Sequence, residues 1–454
     1  MLNEILNNTE NYTLTHGKDD RKSKGQFFTP LSIANFMAAK ASMKATHLSI
    51  MEPGAGNGLL TAAIIKYCID HGLCNSFSIR FIENDPDILP ILRKTARLLE
   101  IYARSNSSEI YVSISESNYI TDNIDETYDI VICNPPYKKI RKDSPESVCM
   151  SDYVHGQPNL YMLFMCKAIG NLKAGGKFVF ITPRSWTSGN YYKVARKYLL
   201  ENLNLTNLLL FEDRNKVFDG EDVLQETLIT VGTKGLSQTT HINIITANGD
   251  IDKATPLMVD SKLVKGIGPD EYLLLPSSEK DLLVITKMAL VPDTFESLGY
   301  CFKTGPVVEF RNRDALSVKE KEGYIPMYRT AHIIEGRFVF PANTNKAQYV
   351  NTTKKNLVLS DMNTVFVRRM SAKEEQRRLQ SCVYYKTGRN RSISIENHVN
   401  YLVHTDGSPL SVEEAEWINS LLMSDEYDTY YRIINGSTQV NANEINKLPL
   451  QRRA

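Results

Sequence analysis

The sequence contains few of the patterns from which disulfide scaffolds, metal sites and membrane spans are built. Its seven cysteines are an odd number without a C-x-x-C pair, a usage that favours reduced thiols and a cytoplasmic protein. The eight histidines form no H-E-x-x-H pattern or comparable cluster, so we expect no metal site. No run is apolar enough to span a bilayer, and residues 1–8 lack the features of a signal peptide.

The sequence also lacks an excess of charge of either sign, since its formal net charge is only +1. Cations nevertheless outnumber acids between Phe366 and Ser392. A basic stripe of this kind can follow a phosphate backbone, or it can be a solvated helix face with i,i+4 ion pairs. We favour the phosphate contact because arginine outnumbers lysine in the stripe. The cations are Arg368, Arg369, Lys373, Arg377, Arg378, Lys386, Arg389 and Arg391.

The length of 454 residues predicts two to three domains. Residues 25–235 alternate apolar strand-like runs with helical patterns, which is typical of a doubly wound, mostly parallel α/β sheet. The predicted strands are, in chain order, Leu48–Met51, Ser78–Ile82, Ile110–Ser115, Asp129–Cys133, Lys177–Thr182, Leu205–Phe211 and Thr227–Gly232. From about residue 286 the pattern changes to shorter strand-like runs and basic helices, which indicates a separate α+β domain. We therefore predict an α/β domain over residues 1–240, linker and edge elements over 241–285, and a second domain over 286–454.

A rigid polar corner follows the fourth predicted strand. Asn134-Pro135-Pro136-Tyr137 joins a carboxamide, two prolines and an aromatic ring. The side-chain oxygen of Asn134 and the carbonyl of Pro135 can both accept hydrogen bonds from one exocyclic amine, and Tyr137 offers a face for stacking. The corner therefore predicts a site for the NH2 group of a planar, amide-like substrate. By itself the motif also fits a simple turn that ends a strand.

A glycine-rich turn lies between the first predicted strand and the helix that follows. Residues 52–58 read Glu-Pro-Gly-Ala-Gly-Asn-Gly, and strand, turn and helix are the parts of a nucleotide-binding βα unit. The loop lacks the third glycine of G-x-G-x-x-G and opens with Glu52, which suits a cationic ligand better than a pyrophosphate. Glu83 ends the second strand, where it can accept hydrogen bonds from both ribose hydroxyls. A ribose with a cationic amino-acid tail describes S-adenosylmethionine.

Taken together, the motifs resemble those of the DNA N6-adenine methyltransferases, and their order resembles the γ class. Within that class the C-terminal half is most similar to the type II modification enzymes of the PstI/BsuBI group. The resemblance covers almost the whole chain. The matching segments are residues 25–30 (cofactor motif), 134–137 (catalytic motif), 159–161 and 175–183 (the following helix and strand), 218–229 (the aromatic on the flipped base), and 436–442 with 448–449 (recognition domain).

The resemblance implies three sets of site residues. The catalytic residues are Asn134, Pro135, Tyr137 and Phe218. The cofactor-binding residues are Phe28, Thr29, Glu52, Pro53, Gly54, Gly56, Glu83, Asn84, Asn118 and Tyr119. The DNA-binding residues are Arg311, Arg313, Arg368, Arg369, Arg377, Arg378, Lys386 and Arg389. At one position the chain departs from the family, which usually has an acid where this sequence has Asn118; the amide oxygen can still accept from the amine of the cofactor's adenine.

The resemblance implies methyl transfer from S-adenosylmethionine to N6 of an adenine in double-stranded DNA. Acceptors at Asn134 and Pro135 would localise the lone pair of the amine, while Tyr137 and Phe218 hold the ring, so catalysis is mostly positioning and electrostatics. The adenine must leave the duplex, at a cost of a few kcal/mol. Cytosine C5 methylation is not expected, because its nucleophile usually stands in a Pro-Cys dipeptide and none occurs here.

Two other functions remain open at this point. Glutamine-N5 and ribosomal RNA methyltransferases share Asn-Pro-Pro-Tyr, because a glutamine amide resembles an adenine amine, although they usually lack a recognition domain of about 170 residues. A non-catalytic DNA-binding subunit would show more degenerate motifs. We expect duplex DNA as the partner, a separate cognate restriction endonuclease, and a monomer or weak dimer. The sequence does not separate host protection from an orphan role.

Overall fold

The computed structural model describes residues 1–211, 226–235, 239–247, 251, 254–265, 272–372, 374–389 and 392–453. The chain forms two compact units, Met1–Ser277 and Ser278–Ala454. The boundary between them lies inside residues 241–285, the segment expected to hold linker and edge elements. Each unit is described separately below.

One large sheet forms the centre of the first unit. Its strands are β1 (Leu48–Pro53), β2 (Ser76–Ile82), β3 (Glu109–Ser115), β4 (Tyr128–Cys133), β5 (Leu172–Pro183), β6 (Leu203–Phe211), β7 (Thr227–Lys234), β8 (His241–Ala247) and β9 (Pro256–Asp260). Among the described residues the strand order is β3-β2-β1-β4-β5-β7-β6-β8-β9. Strands β1 to β5 form a parallel set in the order β3-β2-β1-β4-β5, whereas β7 is antiparallel to both β5 and β6. The predicted doubly wound, mostly parallel sheet is therefore present.

The helices of the first unit cover this sheet. Their bounds are α1 (Leu2–Thr15), α2 (Lys18–Lys24), α3 (Leu31–Ala41), α4 (Leu59–Asp70), α5 (Leu89–Ser105), α6 (Pro145–Cys149), α7 (Leu160–Gly170), α8 (Lys193–Asn202) and α9 (Ser261–Val264). Helix α5 is amphipathic and buries Leu92 and Leu99 completely, whereas most residues of α4 and α7 are buried. Complete burial of such a side chain stabilises the fold by about 1.5–3 kcal/mol.

The central strands are buried on both faces, as parallel sheets between helices require. Ile50, Ile130 and Val179 have no exposed surface and belong to one continuous core. The sheet continues into the segment expected to be linker and edge elements, because β8 pairs with β6 and β9 pairs with β8. The carboxyl ends of β1, β2 and β4 lie at one edge of the sheet, where ligands bind in folds of this kind.

The second unit combines small sheets with helices, as the α+β prediction requires. Its strands are β10 (Tyr300–Thr304), β11 (Leu316–Ser317), β12 (Ile325–Tyr328), β13 (Ile333–Ile334), β14 (Arg337–Phe338), β15 (Tyr349–Val350), β16 (Leu359–Ser360), β17 (Thr364–Arg368), β18 (Ser381–Tyr384), β19 (Ser392–Ile395) and β20 (Val399–His404). Its helices span Glu279–Met288, Val412–Leu422, Asp425–Ile434 and Ala442–Asn446. The larger sheets have the orders β10-β20-β17-β18 and β11-β15-β12-β19-β16. No helix in the described ranges is long and apolar enough to cross a membrane.

Candidate active site

A cavity of about 500 Å³ opens at the carboxyl ends of β1, β2 and β4. Most of the predicted cofactor-binding residues line it. They are Phe28, Thr29, Glu52, Gly54, Gly56, Glu83, Asn84, Asn118 and Tyr119. Pro53 does not line the cavity; it ends β1, and its carbonyl accepts a hydrogen bond from the Cys133 thiol at 2.9 Å. The fold thus gathers residues from four separate segments of the sequence around one space.

The glycine loop has a backbone that other residues would strain. Gly54 and Gly58 have φ values of +61° and +74°, in the left-handed region that glycine adopts at little cost. A Cβ at Gly58 would also lie 3.0 Å from Leu92. Side chains then bind the free N–H groups at the start of α4: Asn57 accepts from Leu59 at 3.1 Å, and Glu52 accepts from Thr61 at 2.9 Å. The loop therefore fixes the position of Glu52.

Glu52 is an acid in an unfavourable environment. Its side chain is buried, and burial raises the pKa of its carboxyl to about 8, although the hydrogen bond from Thr61 opposes the shift. The neighbouring Glu83 adds to the rise. A cation beside Glu52 would offset the cost of its charge. The site therefore suits the ammonium group of an amino-acid tail.

Glu83 is already engaged with the backbone. Its two carboxylate oxygens accept N–H bonds from Gly56 at 2.8 Å, Asn84 at 2.8 Å and Asp85 at 2.9 Å. Burial raises the pKa of this carboxyl, and the three N–H bonds oppose that rise. A carboxylate has about four acceptor positions. Glu83 therefore retains about one acceptor position that these backbone bonds do not use.

The catalytic corner contains an acceptor that the protein leaves unpaired. The Asn134 amide donates to the Phe27 carbonyl at 2.8 Å and to the Thr29 hydroxyl at 3.0 Å, which uses both of its hydrogens. Its Oδ1 atom is buried and has no hydrogen-bond partner within the described part of the chain. An unpaired buried acceptor costs about 1–3 kcal/mol. Because Asn134 lines the cavity, an incoming N–H group could satisfy this oxygen.

The other predicted catalytic residues lie behind or beside Asn134. Pro135 is buried, and the Tyr137 hydroxyl donates to the Ile181 carbonyl at 3.1 Å. The Tyr137 ring stacks on Phe27, with 5.4 Å between ring centroids. Neither Pro135 nor Tyr137 lines the cavity, whereas Pro136 does. Phe218 lies outside the described residues.

The N-terminal segment forms a wall of the cavity through contacts that the sequence did not reveal. Lys24 and Gln26 line the cavity, and both bond the acidic segment that follows β2. Lys24 pairs with Asp85 at 3.1 Å and with Asp87 at 2.8 Å, and the Gln26 amide donates to Asp85. The hydrogen bond to Asp87 holds the pKa of the Lys24 ammonium above its ordinary value. The charged residues beside the motif at 25–30 were the sequence feature that could have indicated these contacts. Glu146, from the loop after the catalytic corner, is another lining residue that the sequence reasoning missed.

Four of the predicted DNA-binding cations are exposed on the second unit, and three arginines are held by partners within it. The exposed residues are Arg311, Arg313, Lys386 and Arg389. The internal bonds join Arg368 to the Ile333 carbonyl (3.0 Å), Arg369 to the Asn397 carbonyl (3.1 Å) and Arg377 to the Asp425 carboxylate. Only the exposed residues keep their guanidinium or ammonium groups available for phosphates without breaking such bonds.

Arg378 corrects the sequence prediction. Its side chain has no exposed surface and donates to the carbonyls of Asn435 and Ser437. The guanidinium also lies over the Tyr431 ring, 5.8 Å from its centroid. A buried arginine with these partners holds the second unit together and cannot reach a phosphate. The sequence around Arg378 does not indicate that the side chain is buried, because the burial depends on residues far along the chain.

Comparison with known proteins identifies the family. The model of the Eco57I restriction-modification methylase family matches residues 81–218. The type II methyltransferase M.PstI of Providencia stuartii is 30% identical over 460 aligned positions, which cover 98% of this chain and 89% of that protein. The chain belongs to the type II restriction-modification methyltransferases. The type II methyltransferase M.BsuBI of Bacillus subtilis is 29% identical, with 100% and 93% coverage.

Solved structures share the fold of this type II methyltransferase. The type IIL restriction-modification enzyme MmeI in complex with DNA has a TM-score of 0.54 at 12% identity, covering 99% of this chain and 65% of that chain. The DrdV–DNA complex has a TM-score of 0.53 at 11% identity, with 97% and 56% coverage. Likenesses at these identities concern the fold alone. Their coverage of this chain extends over both the doubly wound sheet and the C-terminal α+β unit that the sequence predicted.

Proposed function

We propose that this type II methyltransferase transfers a methyl group from S-adenosylmethionine to N6 of a flipped-out adenine in double-stranded DNA. The observation that carries the proposal is the unpaired, buried Oδ1 of Asn134 at the wall of the cavity. An exocyclic NH2 group is a donor of the size and geometry that this acceptor lacks. The alternative substrates, a glutamine amide or an RNA base, present the same group but not the duplex that a recognition domain would bind.

The residues around the cavity fit S-adenosylmethionine. Glu52 suits its ammonium group, Glu83 retains one acceptor position for a ribose hydroxyl, and Phe164 with Leu160 offers apolar surface for a ring. When bound, this cofactor supplies an electrophilic methyl group on a sulfonium. Transfer of that methyl group to an amine requires positioning of the two reacting atoms and no metal ligand set.

The chain's own residues then act by position. Asn134 Oδ1 and the Pro135 carbonyl accept the two hydrogens of the adenine amine and hold its lone pair toward the methyl group. The hydrogen bonds from the Asn134 amide to Phe27 and Thr29 keep that oxygen from rotating away. The ring of Tyr137, which follows Asn134 in the corner, supplies the aromatic face for the flipped base in this proposal. Positioning of this kind lowers the barrier without a covalent intermediate on the protein.

We further propose that the chain is the modification half of a restriction-modification system, with a separate endonuclease as its partner. Two observations support this: the full-length similarity to M.PstI and M.BsuBI, both named type II methyltransferases, and the shared fold of MmeI and DrdV, whose solved structures are DNA complexes. On this proposal residues 286–454 bind the target, and the exposed Arg311, Arg313, Lys386 and Arg389 contact its phosphates.

The test is modification-sensitive sequencing of DNA from a methylation-free host that expresses the chain alone. We expect N6-methyladenine within one short motif, and loss of that signal in Asn134→Ala with cofactor affinity and thermal unfolding retained. Asn123→Ala, which removes an exposed carboxamide, is the matched control and keeps full activity. Undiminished methylation by Asn134→Ala would overturn the proposal, and label transfer to protein or RNA alone would establish one of the alternatives.

A further inference from the structure

The loop between the catalytic corner and α7 folds against the cofactor cavity. Its ends are tied together, because Ile140 donates its N–H to the Pro158 carbonyl at 3.1 Å and Leu160 donates to the Lys138 carbonyl at 2.9 Å. Inside the loop, the Ser144 hydroxyl caps the short helix α6. Glu146 is in the first turn of α6 and lines the cavity. The loop thus brings an acid to a site where the sequence resemblance lacked one.

Asn118 holds the Glu146 side chain in place. The Asn118 amide donates to Glu146 Oε1 at 2.8 Å, while its own oxygen accepts the Ile120 N–H at 3.0 Å. The oxygen of Asn118, expected to meet the cofactor, is therefore turned to the backbone. In the described ranges, no other side chain donates to the Glu146 carboxylate. That carboxylate retains acceptor positions that the protein does not use.

The surroundings of this pair differ from the rest of the cavity. Phe164, Leu160 and Ile140 line the cavity together with Asn118 and Glu146, and all three offer apolar surface. The ring of Phe164 lies close to the glycine loop, since a Cβ on Gly54 would be 3.2 Å from it. Apolar walls with a carboxylate beside them fit a flat heterocycle that carries an amine. The acids Glu52 and Glu83 are held elsewhere, by the Thr61 N–H of α4 and by the Gly56 N–H of the glycine loop.

We propose that Glu146 accepts a hydrogen bond from the 6-amino group of the cofactor's adenine, with Asn118 positioning its carboxylate. The proposal rests on the proposed function, since it names the part of S-adenosylmethionine that this end of the cavity recognises. The loop over residues 138–158 then contributes directly to cofactor specificity. It also links cofactor binding to the segment that immediately follows the catalytic Tyr137.

The alternative role for Glu146 is purely structural, because an acid in the first turn of a helix is favourable by itself. The two roles differ in their dependence on the ligand. A structural acid changes the affinity for every cofactor analogue equally. An acid that bonds the 6-amino group changes only the affinity for analogues that carry this group, which a double-mutant cycle between protein and ligand can isolate.

The test is calorimetric binding of two ligands to the full chain. One ligand is S-adenosyl-L-homocysteine, and the other is its analogue with hydrogen in place of the 6-amino group. We expect the wild type to prefer the amino form by about tenfold, the strength of one hydrogen bond to a charged acceptor. Glu146→Ala removes that preference, and Glu146→Gln reduces it. The matched control Asp152→Asn, an exposed acid of the same loop that does not line the cavity, retains it.

A charge exchange gives a second, independent measurement that does not shorten the side chain. Asn118→Asp places two carboxylates beside each other, and we expect it to lower the affinity for S-adenosyl-L-homocysteine about tenfold. Combining it with Glu146→Gln restores one acid and one amide, and with them most of the affinity. An unchanged ligand preference in Glu146→Ala, or undiminished affinity in Asn118→Asp, would overturn the proposal while the proposed function stands. Failure of the wild type to bind either ligand would contradict the proposed function itself.

Discussion

Glu52 and Glu83 have the same chemistry, but the fold uses them differently. Glu83 accepts three backbone N–H groups, which offset much of the cost of its burial. Glu52 accepts one from Thr61 and has a pKa raised to about 8 by burial. The buried carboxyl of Glu52 therefore lowers the stability of the folded chain. Because Glu52 lines the cavity, we expect a bound ligand to offset this cost.

The cost at Glu52 predicts a pH dependence of stability. Burial raises the pKa of Glu52 from 4.5 to about 8, so between these values the folded chain holds one more proton than the unfolded chain. The unfolding free energy therefore falls as pH rises through this window. Glu52→Gln removes the titration, and we expect it to be more stable than the wild type by about 1–3 kcal/mol at pH 8 and nearly equal at pH 5. Denaturant unfolding at both pH values measures the difference.

The substitution Glu52→Gln should also weaken binding of the cofactor. Without the Glu52 charge, we expect the affinity for S-adenosylmethionine to fall at least about tenfold, the effect of one lost ion pair in a buried site. Glu109→Gln, at an exposed position of β3, is the control and should change neither quantity. Equal stability of Glu52→Gln and wild type at pH 8 would show that the carboxylate is well solvated.

Tyr137 allows its ring and its hydroxyl to be tested separately. The hydroxyl bonds the Ile181 carbonyl, while the ring stacks on Phe27 beside Asn134. We expect Tyr137→Phe to lose about 1 kcal/mol of stability but to keep most of its methyl transfer. Tyr137→Ala removes the stacking face and should lower kcat by at least about a hundredfold. A large loss of kcat in Tyr137→Phe would instead assign the function to the hydroxyl.

At the scale of elements, the sequence predicted those parts whose pattern is local. The strands β1, β2 and β4 begin and end within a few residues of their expected positions, because buried parallel strands are short apolar runs. β5 starts at Leu172, earlier than the expected Lys177, because a register shift against β4 lets the chain continue through Gly175. The contacts of α1 with the glycine loop had no local signal, since they join residues far apart in the sequence.

The docking of α1 therefore makes a prediction at this scale. The Thr9 hydroxyl is buried, donates to the Ile5 carbonyl at 2.8 Å and accepts from the Asn57 amide at 2.8 Å. The Asn57 side-chain oxygen in turn accepts the Leu59 N–H at the start of α4, and Asn57 lines the cavity. Thr9→Val keeps the shape but leaves a buried amide hydrogen unpaired, so we expect a loss of about 1–2 kcal/mol and weaker cofactor binding.

Thr13→Val provides the control for that variant. Thr13 is on the same helix, but its hydroxyl donates to the carbonyl of Glu10, a residue of that helix, at 2.8 Å. Thermal unfolding and calorimetric binding of S-adenosylmethionine compare the two variants. If Thr9→Val and Thr13→Val behave alike, then α1 does not support the cofactor site through Asn57.

For the whole molecule, composition proved a poor guide to where charge is used. The net charge of +1 gives no indication of a polyanionic partner such as DNA. The basic stripe between Phe366 and Ser392, in contrast, predicted a continuous surface for contacting phosphates. The structure divides that stripe: Arg378 is buried, whereas Arg389 is exposed. A sequence shows how many cations a segment contains, but their burial depends on helices such as Asp425–Ile434 that pack on it from elsewhere in the chain.

This division predicts how DNA binding will depend on salt. Each cation that contacts a phosphate releases about one counterion, so Arg311→Ala and Arg313→Ala should each weaken binding across DNA sequences and reduce the slope of log affinity against log salt by about one. Their unfolding should be unchanged because both side chains are exposed. Arg378→Ala should instead destabilise the chain by about 3–5 kcal/mol, since it leaves buried carbonyls unpaired. Titrations of a fluorescent duplex at several salt concentrations, paired with denaturant unfolding, separate the two classes, and an unaltered salt slope in Arg311→Ala and Arg313→Ala would place the phosphate contacts on other residues.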